Sequence, residues 1–351
     1  MQTHFLPPDF GGFAKPVTPG STEHESWVDW AEMEPKNALL WAISYEIGTH
    51  KPVQHLINEG VSVEIVNELL ENGVQGFSVL DRGLSEALRD CTFKTLTAAE
   101  LSGEDVDTVI VVTESFSELF DGGSDASLSF KQVRNQTFDL FHELGIRRAA
   151  IFCVTYGGCM NLLQAAIMSK SLVQQGLSRN VLLVAAERCT SPKSRLMQGP
   201  VSIAGDGVAA CLVSADVGGE DTAFKLDFIS LAPYKNLKSG GNMASQVLEI
   251  FRAVKNAAAD CYDARHMQPR DFRWVVLGDY NRNTSLSYAK LLGFPPERTF
   301  LQNVGRLGHI PFDPLINLAD LARSQMVKRS DSVLMFLFGP VSCGAMSVSL
   351  A

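Results

Sequence analysis

From Asn37 onward the chain alternates short apolar runs with longer helix-forming ones, and it does so in two successive blocks. In the first block the strand-like runs are 38–44, 107–113, 148–154, 180–186 and 207–214. Helical character reads from after 44 to about Cys91, including 78–89, then over 132–144 and 160–175. A Gly- and acid-rich spacer at 217–222 precedes the second block. There strands read at 224–231, 272–277, 332–338 and 344–350, with helices at 243–259, 284–292 and 314–324. Apolar runs this short, bounded by Gly, Pro and polar residues, suit buried strands better than helices. Strand–helix alternation in two blocks predicts a layered α/β protein of two related halves, 38–216 and 222–351. Residues 1–37 differ: Pro7-Pro8, Gly11-Gly12, Pro16 and Pro19-Gly20, then acidic residues with Trp27 and Trp30, read as an irregular arm that docks through its indoles.

Composition narrows the function classes. With 46% hydrophobic and 20% charged residues, a chain of 351 has ample material for a core. A net charge of −9 argues against nucleic acid as a partner, though Arg179, Arg188, Lys193 and Arg195 could form a local cationic patch for an acidic carrier. The seven cysteines are scattered, five of them in apolar stretches, and no Cys/His spacing suits a metal or a disulfide framework. No apolar run reaches the roughly 20 residues of a membrane span, and no secretory leader is read, so a cytoplasmic location is expected.

Cys159 is the residue with the strongest chemical context. The run 148–154 leads into Tyr156-Gly157-Gly158, and a helix-forming stretch from Met160 to Gln175, stopped by Gly176, follows the cysteine. A thiol on a glycine turn at the mouth of a helix meets partial positive charge and free N–H groups, which is the setting of a nucleophile. A buried structural cysteine is the competing reading.

The order and spacing of several motifs resemble the thiolase superfamily, in particular the ketoacyl-carrier-protein synthase III branch. These are the cysteine elbow at 156–162, the strand 181–187 followed by Gly205-Asp206-Gly207, the run 274–281, Gly305 to His309, and Phe338-Gly339 with Gly344-Ala345. The resemblance runs from about residue 38 to the C-terminus and implies a five-layered α-β-α-β-α fold and a homodimer. It also implies an acyl group carried on Cys159, delivered as an acyl-CoA or acyl-carrier-protein phosphopantetheine thioester, with no permanently bound cofactor. Two positions depart from the decarboxylating synthases. Gly278 stands where they carry a histidine, and His309 stands where they carry an asparagine. The family's early CoA-binding Trp and Arg have no match in 57–76. That pattern is similar to an acyltransferase offshoot of specialised-metabolite (polyketide-type) pathways, which moves an acyl group to an alcohol or amine.

The expected chemistry is therefore transfer from Cys159 to an oxygen or nitrogen of a small-molecule acceptor, with His309 as general base. Decarboxylative carbon–carbon condensation is the alternative, and a non-catalytic partner subunit the third reading. Asp313 reads equally as the residue orienting His309 and as a helix N-cap before Pro314. Asn281 reads as a donor to the thioester carbonyl or as a cap, and Asp279 as an accessory carboxylate beside His309. The backbone N–H groups of Cys159 and Gly339 are the expected oxyanion donors. Gly205-Asp206-Gly207 reads as a structural turn.

Overall fold

A computed structural model describes residues 36–116, 118–119, 129–189, 191–197, 201–217, 222–234 and 243–351. The N-terminal arm expected over 1–37 falls outside the described residues except for its last two. Lys36 to Ala351 form one compact unit.

In the first half the elements are β1 (Leu39–Ile47), β2 (Thr49–Pro52), α1 (His55–Asn58), α2 (Val63–Glu71), β3 (Gly76–Val79), α3 (Leu84–Ala98) and β4 (Thr108–Val112). Next come α4 (Phe130–Glu143), β5 (Ala150–Val154), α5 (Asn161–Gln174), β6 (Asn180–Glu187), α6 (Pro192–Arg195) and β7 (Gly207–Ser214). The second half holds β8 (Phe224–Pro233), α7 (Met243–Arg265), β9 (Trp274–Leu277), α8 (Arg282–Leu291), β10 (Thr299–Phe300), α9 (Asp313–Arg323), β11 (Ser332–Phe338) and β12 (Ser342–Leu350).

Ten strands run in the order β10-β9-β11-β12-β8-β1-β7-β6-β4-β5. The two halves of this order match. Reading outward from the β1–β8 junction, β1 is antiparallel to β7 and β7 to β6, while β6 is parallel to β4 and β4 to β5. On the other side β8 is antiparallel to β12 and β12 to β11, while β11 is parallel to β9 and β9 to β10.

Strand alternation sorts side chains into layers. Ile110 and Val112 of β4, with Val276 of β9 and Met335 of β11, pack on Leu162, Leu163 and Ala166 of α5 and on Leu315, Ile316 and Leu318 of α9. The intervening Val109 and Val111 face a second core made by Leu84 and Leu88 of α3 with Phe141 of α4. Val275, Leu277 and Phe336 face a third, with Val254, Ala257 and Cys261 of α7 and Ala289 of α8. Three helical layers thus sandwich two sheet halves, with α5 and α9 in the middle layer. Both helices are apolar on most faces because both sides are covered.

Two segments differ from the sequence reading. The stretch read as helical up to Cys91 contains the β2–β3 ribbon, Thr49 to Pro52 pairing with Val79 to Gly76. Backbone partners far along the chain decide this: Gln75 and Gly76 N–H donate to Gly305 O, and Ser78 N–H donates to Leu307 O. Run 148–154, read as buried, forms the outermost strand β5, with Phe152 43% exposed and Cys153 also exposed. An apolar edge strand carries the same sequence signal as a central one.

Candidate active site

The elbow before α5 forms around two glycines. Gly158 has φ +61°, and a Cβ there would lie 2.7 Å from Pro340 Cδ and 2.9 Å from Glu114 Oε1, so only glycine fits. Gly157 N–H donates to Asn161 Oδ1 at 2.7 Å, fixing the turn that carries Cys159 over the start of α5. Cys159 is part-buried.

The facing loop comes from the second half. Gly308 has φ +74°, and a Cβ there would sit 2.7 Å from Ile203 O. His309 N–H donates to Ile203 O at 2.7 Å, and Gly205 N–H donates to His309 O at 3.0 Å. The glycine of the Gly205-Asp206-Gly207 turn is therefore a docking position for the histidine loop; a Cβ on Gly205 would lie 2.3 Å from Leu307 O.

These loops meet side chain to side chain. Cys159 Sγ lies 3.1 Å from His309 Nε2, across 150 residues of chain. His309 Nδ1 donates to Asp313 Oδ2 at 2.7 Å, and the same oxygen accepts the N–H of Asp279 at 2.7 Å and of Ile310 at 3.2 Å. Asp313 is the first residue of α9, one past the N-cap position, and no side chain caps that helix. Its carboxylate serves the imidazole and the loop. Burial pushes the His309 pKa down, but the Asp313 carboxylate and Cys159 outweigh it, and the net shift is well above the ordinary value.

Other expected residues divide. Asn281 caps α8, its Oδ1 accepting Thr284 N–H at 2.7 Å. Asp279 is fully buried and does not pair with the His309 ring; its Oδ1 accepts from Asn317 Nδ2 at 2.8 Å. Gly339 is corrected as an oxyanion donor: its N–H donates to Ser342 O at 2.8 Å inside the β11–β12 hairpin. The hairpin itself lies against the elbow, since a Cβ on Gly339 would meet Met160 Cγ at 3.0 Å and Gly157 O at 3.4 Å. Arg195 is also corrected. It is buried against Asp206 at 2.8 Å, too deep for a surface patch, and the Lys193 side chain lies outside the described part.

Tyr280 was not singled out by the sequence. Its ring packs tilted against His309 with centroids 5.0 Å apart, and its hydroxyl donates to Phe338 O at 2.8 Å while accepting Phe338 N–H at 3.2 Å. A Cβ on Gly278 would lie 3.0 Å from Tyr280 Cζ. The tyrosine thus fills the space into which a side chain at 278 would project. Glu114, over the elbow, was missed too; partial burial raises its pKa, opposed by His309. A tyrosine after Gly-Asp and a glutamate after a strand carry no signal of their own, and only the fold brings them to Cys159. Among the described residues no cluster of His, Cys, Asp and Glu suits a metal ion, and no helix is long and apolar enough to cross a membrane.

Comparison with known proteins bears on the fold. Residues 262–349 match the family model described as 3-oxoacyl-acyl-carrier-protein synthase III, C terminal. A beta-ketoacyl-acyl-carrier-protein synthase III of Microcystis aeruginosa is 24% identical over 326 residues, spanning 83% of this chain and 92% of that protein. Among solved structures, the acyltransferase ChlB3 superposes with a TM-score of 0.73 at 16% identity, covering 90% of this chain and 98% of its own. The 3-oxoacyl-acyl-carrier-protein synthase III of Aquifex aeolicus VF5 gives a TM-score of 0.68 at 16% identity, covering 89% and 99%. Cerulenin-bound OleA of Xanthomonas campestris gives 0.71 at 14% identity, covering 91% and 98%. The fold is that of the thiolase superfamily. Within it, the chain is similar to ketoacyl synthase III proteins in sequence and in fold.

Proposed function

We propose that this protein is an acyltransferase that takes an acyl group from a CoA or carrier-protein thioester onto Cys159 and passes it intact to an oxygen or nitrogen acceptor. The observation that carries the reading is the continuous relay Cys159–His309–Asp313, at 3.1 and 2.7 Å. His309, its ring oriented by Asp313, takes the Cys159 thiol proton at Nε2 as the sulfur attacks the incoming thioester. After the donor thiol leaves with that proton, neutral Nε2 takes the proton of the acceptor O–H or N–H as it attacks the acyl-cysteine carbonyl. Asp313 fixes the Nδ1–H tautomer throughout. The Cys159 N–H at the α5 entrance is the assigned oxyanion donor.

Tyr280 supports transfer over condensation. Decarboxylation of a malonyl thioester needs convergent donors around the enolate, and the space beside Gly278 is taken by a phenol whose hydroxyl is already committed to Phe338. Condensation is the second reading, favoured by the synthases among the relatives. A malonyl thioester labelled in its free carboxyl decides between them: no labelled carbon dioxide is expected, and its release in step with a new carbon–carbon bond establishes condensation.

A carrier protein fits as donor. An open cavity of about 580 Å³ is lined by Phe251, Lys255, Tyr288 and Lys290, and the Tyr288 ring packs tilted against Phe338 at 5.3 Å and Tyr280 at 6.0 Å. Its two lysines supply positive charge for a phosphopantetheine phosphate or an acidic carrier. The exposed apolar β5 supports a homodimer built by strand addition at that edge.

A further inference from the structure

Two fully buried carboxyls, Asp279 and Asp313, lie together beneath His309. Asp279 N–H reaches Asp313 Oδ2 at 2.7 Å, and the Asp279 side chain reaches Asn317 at 2.8 Å. Asp313 and Asn317 are four residues apart on α9 and share one helix face, which Asp279 meets through its N–H at one and its carboxyl at the other. Each carboxyl then keeps one buried oxygen without a partner, Oδ2 of Asp279 and Oδ1 of Asp313. The charged groups acting on Asp279 are Asp313, His309 and Asp320. Among the described residues no lysine or arginine pairs with Asp279 or Asp313, and His309 is the single cationic partner. Two ionised carboxylates would place two negative charges, each with an orphaned acceptor, against one imidazole in a dry interior, which is costly.

We propose that Asp279 is held as a neutral carboxylic acid whose O–H donates to Asp313 Oδ1, so that the buried relay carries a single negative charge. One proton thereby gives both orphaned oxygens a partner. Asp279 acts as a positioning residue: it steadies the carboxylate that orients His309 and takes no part in bond making or breaking. Burial and then the neighbouring Asp313 charge raise its pKa well above the carboxylate range, with Asn317 and His309 opposing. A second full charge would hold the imidazole protonated too firmly for it to accept a proton from an acceptor. The inference rests on reading Cys159–His309–Asp313 as the catalytic relay, but its test is read without turnover.

Infrared difference spectroscopy at neutral pH is that test, in a Glu187→Gln background because Glu187 is another buried carboxyl whose pKa burial raises, to about 8. A carboxylic-acid C=O band is expected in that protein and its loss on adding Asp279→Asn. An absent band, or one that Asp279→Asn leaves in place, overturns the proposal. Should the double variant fail to fold, Asp279→Asn alone is compared with the native protein: a loss of carboxylic-acid C=O intensity is expected, and an unchanged band overturns the proposal. Activity gives a second readout. Asparagine mimics the neutral acid, so Cys159 acylation in Asp279→Asn should stay within a few-fold of wild type with an unmoved pH profile. Asp279→Ala, which removes the donor, should lose roughly tenfold. A profile displaced to lower pH in Asp279→Asn means that a negative charge was removed, and overturns the neutral acid. Cys159→Ala should abolish acylation and leave the band intact, which separates this proposal from the relay itself.

Discussion

In the first half of the molecule the parallel strand β5 leads through Gly158 and Cys159 into α5. In the second, β10 occupies the matching place in the sheet and leads through Gly308 and His309 into α9. Cys159 and His309 each follow a left-handed glycine, with φ of +61° and +74°, and both lead into a helix of the middle layer. The chemistry differs because the surroundings differ. The first loop is short, so its side chain is presented at the entrance of α5. The second loop is longer and docks by backbone hydrogen bonds on Ile203 and Gly205 of the first half, with the Asp313 carboxylate of its own helix behind it. A duplicated layout thus places an acidic and a basic partner face to face, each held by its own half.

The largest expected effect lies on the first-half residue. Cys159→Ala should abolish both turnover and the covalent acyl adduct, and appreciable product from that variant would remove the nucleophile from its role. On the second-half side, His309→Ala should slow acyl transfer by about 10²–10⁴-fold. A loss of only a few-fold would mean that another group, Glu114 being nearest to hand, takes the proton.

Asp313→Asn tests the link behind the histidine and should cost at least on the order of 10²-fold by favouring the wrong tautomer. It has a pH signature as well. The His309 pKa is raised in the fold, so its contribution to stability is fully present below the unfolded value of about 6.5 and lost as pH rises through the folded value. The stability gap between wild type and Asp313→Asn should therefore be widest in acid and narrow toward alkaline pH, as followed by denaturant unfolding. A gap that widens with pH contradicts the assignment.

Gly158→Ala and Gly308→Ala probe the shared device. Each forces an alanine to positive φ, costing roughly 1–2 kcal/mol, and each adds a clash, with Pro340 and Glu114 in one case and with Ile203 O in the other. Both should displace a reacting group and lower the rate by about 10²-fold. If only one does, the two loops are not equivalent. The smallest effect is expected from Tyr280→Phe, which strips the hydroxyl from Phe338 at about 1 kcal/mol of stability and leaves the ring on His309. Thermal unfolding measures it.

Much of this was legible in the sequence where local pattern and chemistry coincide. Cys159 stood out because apolar run, glycines and helix former occur in order, and His309 because it stands at the position where the resembled synthases carry an asparagine; its glycine-loop setting alone would not have marked it. Asp313 was ambiguous, since an acid before Pro314 also makes a cap; only the 2.7 Å contact to Nδ1 separates the readings. The misread parts depend on distant partners. The β2–β3 ribbon is held by the 305–307 loop, and β5 is an edge because nothing in the described chain pairs beyond it. Gly339 could not be judged from its neighbours in sequence, because its N–H is consumed within the β11–β12 hairpin. Tyr280 shows the same limit: its role exists only because Gly278 leaves a space beside His309.

Intact-mass measurement with peptide mapping, after incubation with a panel of acyl-CoA and acyl-carrier-protein thioesters, tests the central claim most directly. The account predicts a mass gain equal to one acyl group, located on Cys159, formed slowly in His309→Ala and absent in Cys159→Ala. An adduct on another residue, or one of equal yield in Cys159→Ala, would contradict it.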